Sequence, residues 1–255
     1  IAYYRNIEAN KDAFSPNRFP YANTTEELFD FIGTLQEASG KPVGIKIVIS
    51  DYNNIVPIAK EIKRRADLGL SYPDYISIDG GSGGSATAPL DMMERIGMDI
   101  RDALYLVDKV LKDYGVRDKV RISASGKILT PDDVIITLCL GADFVQIARG
   151  FMMSAGCIRA RYCSGAGEHQ CPVGLATQDI TKRKHYFVKK HSEFIKNYHA
   201  NILKSMKSLL AVMGLKNIKE LDKDKLIFLD IDSIIHDDMD ELVERRISIK
   251  QKEEK

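Results

Sequence analysis

The chain has 255 residues, of which 44% are hydrophobic and 29% charged, which is enough for a sizeable buried core. Thirty-seven Lys and Arg face 36 Asp and Glu, and the net charge of +1 gives no overall field that would attract nucleic acid or an anionic membrane. No apolar run approaches the roughly 20 residues of a membrane-spanning helix, so we expect a cytoplasmic protein that binds neither a membrane nor nucleic acid.

The first predicted elements are a capped helix and a buried strand. Residues 24–27 read Thr-Thr-Glu-Glu before apolar residues at helical spacing, which predicts a helix that ends near Gly40. Residues 43–49 are β-branched and bounded by Pro42 and a polar stretch, as is typical of a parallel strand. Helical spacing resumes over residues 55–66.

The same strand-and-helix unit then recurs along the chain. Strands are predicted at residues 75–78, 120–123 and 144–147, and helices at 100–114 and 131–140. Because helix-length connections separate successive strands, the pattern predicts an α/β fold with a parallel sheet. Beyond Asp179 the spacing favours long helices with Gly214 as a stop.

Four such units are half of an eight-stranded barrel. The alternatives are an open sheet or a barrel whose other half lies elsewhere, and the loops described next favour the second. We therefore predict that residues 1–180 form strands five to eight of a TIM-like (β/α)8 barrel, with residues 181–255 as a helical appendage. Because Ile1 is not an initiator Met, an upstream segment is expected. Half a barrel leaves a core face bare, so we expect an oligomer or a partner that supplies the other half, and no stable lone chain.

Three loops after the predicted strands are rich in glycine or other small residues. They begin Asp79-Gly80-Gly81, Ser125-Gly126-Lys127 and Ala148-Arg149-Gly150. Backbone amides without a Cβ can approach a ligand closely, and the loops after the last two barrel strands commonly bind phosphate. The sequence therefore predicts a phosphate site, the alternative for the glycines being a flexible connection.

Lys46 lies within an otherwise apolar strand. An unpaired ammonium in a dry core costs several kcal/mol, so Lys46 is expected to have an anionic partner or to face a cavity. A flavin ring would satisfy this requirement, because a nearby cation stabilises the reduced, anionic flavin. The alternative is that Lys46 points to solvent at the end of the strand.

Cys157, Cys163 and Cys171 are spaced C-x5-C-x7-C, and Pro172 follows the last of them. Three clustered cysteines favour a metal centre over a disulfide framework, and three thiolates suit a cluster of three irons. The alternatives are a zinc site that includes His169 and free thiols. Cys139 is interpreted as a small buried side chain.

The order of these motifs resembles the FMN-binding domain of the glutamate synthase family. The shared stretches cover roughly residues 14–215 and comprise residues 15–20, 44–46, 75–81, 88–90, 124–127, 140–143, 156–157 and 171–178. The last stretch, Cys-Pro-Val-Gly-Leu-Ala-Thr-Gln, is the most specific part of the resemblance.

The resemblance implies a TIM-like barrel that holds FMN beside a [3Fe-4S] cluster. It implies an oxidoreductase of nitrogen metabolism that reduces the imine of 2-oxoglutarate and ammonia to glutamate, with electrons from a donor protein or an NAD(P)H-oxidising subunit. It assigns Lys46 and Asp79 to the catalytic site. The implied cofactor contacts are Lys46, Gly80, Gly81, Ser125, Gly126, Lys127, Ala148, Arg149 and Gly150, and the implied cluster ligands are Cys157, Cys163 and Cys171.

Three other interpretations are compatible with the sequence. The first is an N-methylglutamate-forming subunit with the same flavin site, and the second is an electron-transfer or assembly subunit that keeps the cluster without substrate chemistry. The third is a phosphate-binding barrel enzyme of the nucleotide-dehydrogenase type with a catalytic Cys, which predicts no iron.

Overall fold

The structure, a computed structural model, describes residues 2–12, 19, 21–82, 96–163, 170–229 and 235–236. The helices are α1 Ala2–Arg5, α2 Thr25–Ser39, α3 Val56–Leu68, α4 Ile100–Asp113, α5 Pro131–Cys139, α6 Arg149–Ser154, α7 Ile180–Arg183 and α8 Val188–Val212. The strands are β1 Gly44–Val48, β2 Tyr75–Asp79, β3 Arg121–Ser125, β4 Phe144–Gln146, β5 Phe228–Leu229 and β6 Ile235–His236.

The first four strands form one parallel sheet in the order β1-β2-β3-β4. Ile45 pairs with Ile76 and Ile76 with Ile122, and at the carboxyl end Val48, Asp79, Ser125 and Gln146 lie side by side. Sequential strands joined by helices follow the predicted order, so the prediction of an α/β fold with a parallel sheet is confirmed. The described strands do not close a barrel.

One face of the sheet carries the hydrophobic core. Side chains alternate between the two faces of a strand, and the set on this face is apolar. Ile45, Ile76, Ile78, Ile122 and Ala124 are buried here in one cluster with side chains of α2, α3 and α4. The helices therefore cover this face, and burying its isoleucines contributes most of the stability of the sheet.

Local signals determine where the helices begin and end. Thr24 caps α2 and Glu27 reaches back to it, which completes the capping box expected from residues 24–27. Thr130 and Asp133 form the same motif at the start of α5. Gly40 adopts the left-handed conformation just after α2, at the predicted stop.

The long helix α8 packs against α5 and α6, at the end of the sheet where β3 and β4 finish. The part of residues 181–255 that the structure describes is not entirely helical, because β5 and β6 pair as antiparallel strands. No helix among the described residues is both long enough and apolar enough to cross a membrane. The motifs at residues 15–18, 20 and 83–90 and the alternative zinc ligand His169 lie outside the described residues.

Candidate active site

Three polar side chains meet at the carboxyl end of β1, β2 and β3. Lys46 forms an ion pair with Asp79, and the hydroxyl of Ser125 donates a 2.5 Å hydrogen bond to the other Asp79 oxygen. They share one face of the sheet because Lys46 is in register with Ser77, two residues before Asp79, and Asp79 is in register with Ser125. The structure thus brings together residues that are 33 and 46 positions apart in the chain.

Lys46 is not in a dry core, because 63% of its side chain is exposed. Its anionic partner within the described chain is Asp79. The family resemblance places both residues in the same site, but the ion pair between them was not predicted. The Asp79 carboxylate has two protein partners, so it is held in a fixed position as an acceptor. The ammonium of Lys46 keeps donor capacity beyond Asp79, since it carries three N–H groups.

Glycines at the ends of β2 and β3 allow the protein backbone to pack closely beside this group. Gly80 donates its amide to the carbonyl of Ser125 at 2.7 Å, which draws the ends of β2 and β3 together. Gly126 has φ +155°, and a Cβ there would lie 2.9 Å from the side chain of Ile100. Glycine is therefore required at this position.

The next two loops extend this surface. Lys127 adopts φ 50°, a left-handed conformation, and the amide of Leu129 donates to Asp133 at 3.1 Å, which fixes the loop that leads into α5. Helix α6 begins at Arg149 directly after β4, and Ala148 provides no side-chain cap. The first amides of a helix have no partner within the helix, so the start of α6 is a candidate to contact a ligand.

A second polar layer lies below the Lys46 group, and sequence analysis missed it. The side-chain amide nitrogen of Gln146, Nε2, donates to the hydroxyl of Ser123 at 2.7 Å and to that of Ser77 at 3.4 Å. Both serines are buried. The signal was present in the sequence as alternation: Ser77 precedes Asp79 by two residues, and Ser123 precedes Ser125 by two. Both layers therefore belong to the face opposite the isoleucines.

These residues fit a flavin mononucleotide in two respects. A cation and a hydroxyl flank a fixed carboxylate, and an uncapped helix start follows β4. The buried hydroxyl of Ser82, just beyond Gly81, has no hydrogen-bond partner among the described residues. Such an atom calls for a polar ligand atom or water.

The three clustered cysteines occupy different environments. Cys171 is buried, Cys157 is half-buried and accepts the amide of Arg159 at 3.4 Å, and Cys163 is exposed. Among the described residues, no group of three Cys, His, Asp or Glu side chains is placed to hold one metal ion. The structure therefore does not gather the predicted ligand set, whose intervening residues 164–169 lie outside the described part, and the cluster stays a prediction.

The backbone around Cys171 nevertheless favours a thiolate. Burial acts to raise the pKa of this thiol, but amides of residues 173–176 donate to its sulfur and bring the pKa below the ordinary value. Amide donors of this kind stabilise a sulfur that carries negative charge. Cys139 is buried as predicted, and burial raises the pKa of its thiol to about 11.

Comparison with known proteins identifies a shared region. The family profile described as the conserved region in glutamate synthase matches residues 1–216. The chain is 36% identical over 243 residues to the glutamate synthase large subunit-like protein YerD of Bacillus subtilis, covering 92% of this chain and 45% of that protein. It is 33% identical over 229 residues to an archaeal-type glutamate synthase [NADPH] of Thermotoga maritima, covering 87% of this chain and 42% of that protein.

The chain thus spans less than half the length of these relatives. Among solved structures, a mutant flavocytochrome b2 with benzoylformate superposes with a TM-score of 0.46 at 14% identity. That superposition covers 77% of this chain and 37% of the flavocytochrome chain.

Proposed function

The chain belongs to the glutamate synthase family, and from this premise we propose that it is part of a flavin-dependent oxidoreductase whose FMN site lies at the carboxyl ends of β1 to β4. The observation that carries the proposal is the group Lys46, Asp79 and Ser125, joined by an ion pair and a hydrogen bond at the carboxyl ends of the strands. A fixed carboxylate and an exposed cation, next to the loop after β3 and the helix start after β4, suit a flavin with its phosphate.

The proposed reaction is the reduction of the imine of 2-oxoglutarate and ammonia to glutamate. When bound and reduced by the electron donor, FMN would supply the hydride for this step. Lys46 stabilises negative charge by electrostatic attraction, and Asp79 orients Lys46 through the ion pair. Ser125 in turn holds Asp79 by donating its hydroxyl proton into the 2.5 Å hydrogen bond.

The phosphate is proposed to lie at the loops after β3 and β4. Gly126 and Lys127 would offer backbone amides at one loop, and Ala148, Arg149 and Gly150 at the other. Arg149 would add a permanent positive charge. Its guanidinium would pair with the phosphate through two parallel hydrogen bonds. The strand end at Gly80 and Gly81 is assigned to the ring.

The open face of the sheet is the reason to propose a partner. Phe144 is 58% exposed on this face, and Val48 and Tyr75 are exposed with it. We infer that further strands of the same protein or of a second chain cover this face and complete a TIM-like barrel around the polar layer. The cysteine cluster, with iron bound, remains a prediction, and the route from an electron donor to FMN is proposed with it.

The test is to purify the natural protein that carries this chain and to record its absorption spectrum, cofactor content and turnover. We expect about one FMN per chain, released on denaturation, and flavin reoxidation that depends on 2-oxoglutarate and ammonia. Protein-bound iron would support the cluster. Iron without FMN would instead favour the electron-carrier interpretation, and absence of both would overturn the proposal.

A further inference from the structure

One side chain of helix α8 touches both loops assigned to the phosphate. Tyr198, in the middle of α8, donates its hydroxyl to the carbonyl of Leu129 at 2.7 Å. Leu129 belongs to the loop between β3 and α5. A residue of the appendage therefore fixes the far end of the loop that begins with Gly126.

The same hydroxyl lies against the loop after β4. A Cβ added to Gly150 would overlap the hydroxyl of Tyr198, so this position must be glycine for the two to meet. The ring of Phe151 packs edge-on against that of Tyr198, with centroids 5.1 Å apart. Tyr198 thus contacts the second residue of α6 and the end of the β3–α5 loop at once.

The loop from Ser125 to Leu129 is consequently held at both ends. Ser125 is fixed to Asp79 and to the Gly80 amide, while Leu129 donates to Asp133 and accepts from Tyr198. The residues between these ends are restrained unless one of the ends is released. Burial, with a contribution from Asp133, raises the pKa of Tyr198, so its hydroxyl remains a donor at neutral pH.

We propose that Tyr198 is a positioning residue for the phosphate of FMN, which acts by setting the separation between the β3–α5 loop and the start of α6. This inference rests on the proposed function. Amides that bind a phosphate jointly must be pre-arranged, because a shift of either loop costs part of the binding energy. The isoalloxazine ring, assigned to the Lys46 end of the site, does not depend on this separation.

The test compares FMN with riboflavin, which lacks the phosphate, in the natural protein stripped of flavin. Removing the hydroxyl in Tyr198→Phe should raise the dissociation constant for FMN about three- to tenfold, as expected for the loss of one hydrogen bond that organises a charged site. The dissociation constant for riboflavin should change less than about twofold. The measured quantity is the ratio of the two constants, from fluorescence titration.

Tyr186→Phe is the matched control. Tyr186 also donates its hydroxyl to a backbone carbonyl at 2.7 Å, but the acceptor is Ala155 at the far end of α6. The Tyr186→Phe substitution should lower the melting temperature of the flavin-free protein about as much as Tyr198→Phe does. It should leave the ratio of the FMN and riboflavin dissociation constants unchanged. If the ratio is retained in Tyr198→Phe, or changes equally in Tyr186→Phe, the positioning role is overturned while the flavin site stands. If the unsubstituted protein binds neither flavin, the proposed function itself fails, and this inference with it.

Discussion

The two faces of the four-stranded sheet have opposite chemistry. One face presents isoleucines at five strand positions, Ile45, Ile47, Ile76, Ile78 and Ile122, and is covered by helices. The other presents Lys46, Ser77, Asp79, Ser123, Ser125 and Gln146, together with exposed Val48, Tyr75 and Phe144. Both faces derive from the same strands, through alternate residues.

Stability and chemistry reside on opposite faces of this sheet. A parallel strand that is buried on both faces reads as a continuous apolar run, yet β2 reads Tyr-Ile-Ser-Ile-Asp. The helix-covered face holds the sheet together, and the polar face keeps side chains that would destabilise a dry core.

The largest expected effect follows from emptying the helix-covered face. Ile122→Ala should lower the free energy of unfolding by about 4 kcal/mol, because Ile122 is fully buried and its removal leaves a cavity. Phe144→Ala removes a larger side chain, which is 58% exposed on the open face, and should cost less than about 1 kcal/mol if nothing else covers that face. Urea unfolding of the natural protein that carries this chain measures both.

The cost of Phe144→Ala therefore reports whether the open face is covered. If further strands cover the open face, Phe144→Ala should become costly, approaching the roughly 3 kcal/mol of a buried aromatic. An unchanged small cost there would contradict the proposal that the face is covered.

The second effect contrasts a buried cation with an exposed one. Arg65 is buried between α2 and α3 and donates to Glu61, to Asp30 and to two backbone carbonyls. Arg65→Met should therefore cost about 3 kcal/mol, since it removes the hydrogen bonds of a buried cation to two carboxylates and two carbonyls. Lys46→Met breaks an exposed pair and should change stability by less than about 0.5 kcal/mol. Equal losses in the two variants would contradict the contrast between the faces.

The third effect is a pH dependence that arises on the helix-covered side. Hydrogen bonds from Arg64, and then from Arg65, lower the pKa of Glu61 from 4.5 to about 2. Because the folded-state pKa is depressed, this contribution is fully present above pH 4.5 and is lost as the pH falls toward 2. Glu61→Gln should cost about 2 kcal/mol at pH 7 and progressively less below pH 4.5. A penalty that stays constant from pH 7 to about pH 3 would argue against the ion network.

The smallest expected effect concerns the polar face and the cofactor. Lys46→Met should lower the midpoint potential for the two-electron reduction of bound FMN by about 30 mV, which is a tenfold change in the equilibrium constant. The reason is that the reduced, anionic flavin loses a nearby positive charge. Lys127→Met, which removes a cation from the neighbouring loop, is the control and should shift the potential less. A spectroscopic redox titration distinguishes these outcomes.

Much of the fold could be predicted from local patterns. The capping box at Thr24, the β-branched run at 43–49 and the stop at Gly214 located their elements within about two residues, because these signals act between close neighbours in sequence. The short helix α6 was missed, since six residues after a strand carry too little periodicity to be recognised.

The succession of strand and helix patterns, with glycine in the loops after the strands, predicted from sequence alone a parallel sheet and the edge at which a site would form. Only the tertiary structure decided that Lys46 pairs with Asp79, that Gln146 spans Ser77 and Ser123, and that Tyr198 reaches Leu129 and Gly150. Only it separated the environments of Cys157, Cys163 and Cys171. The physical reason is that these contacts depend on strand register and helix packing, which bring together residues that no local pattern relates.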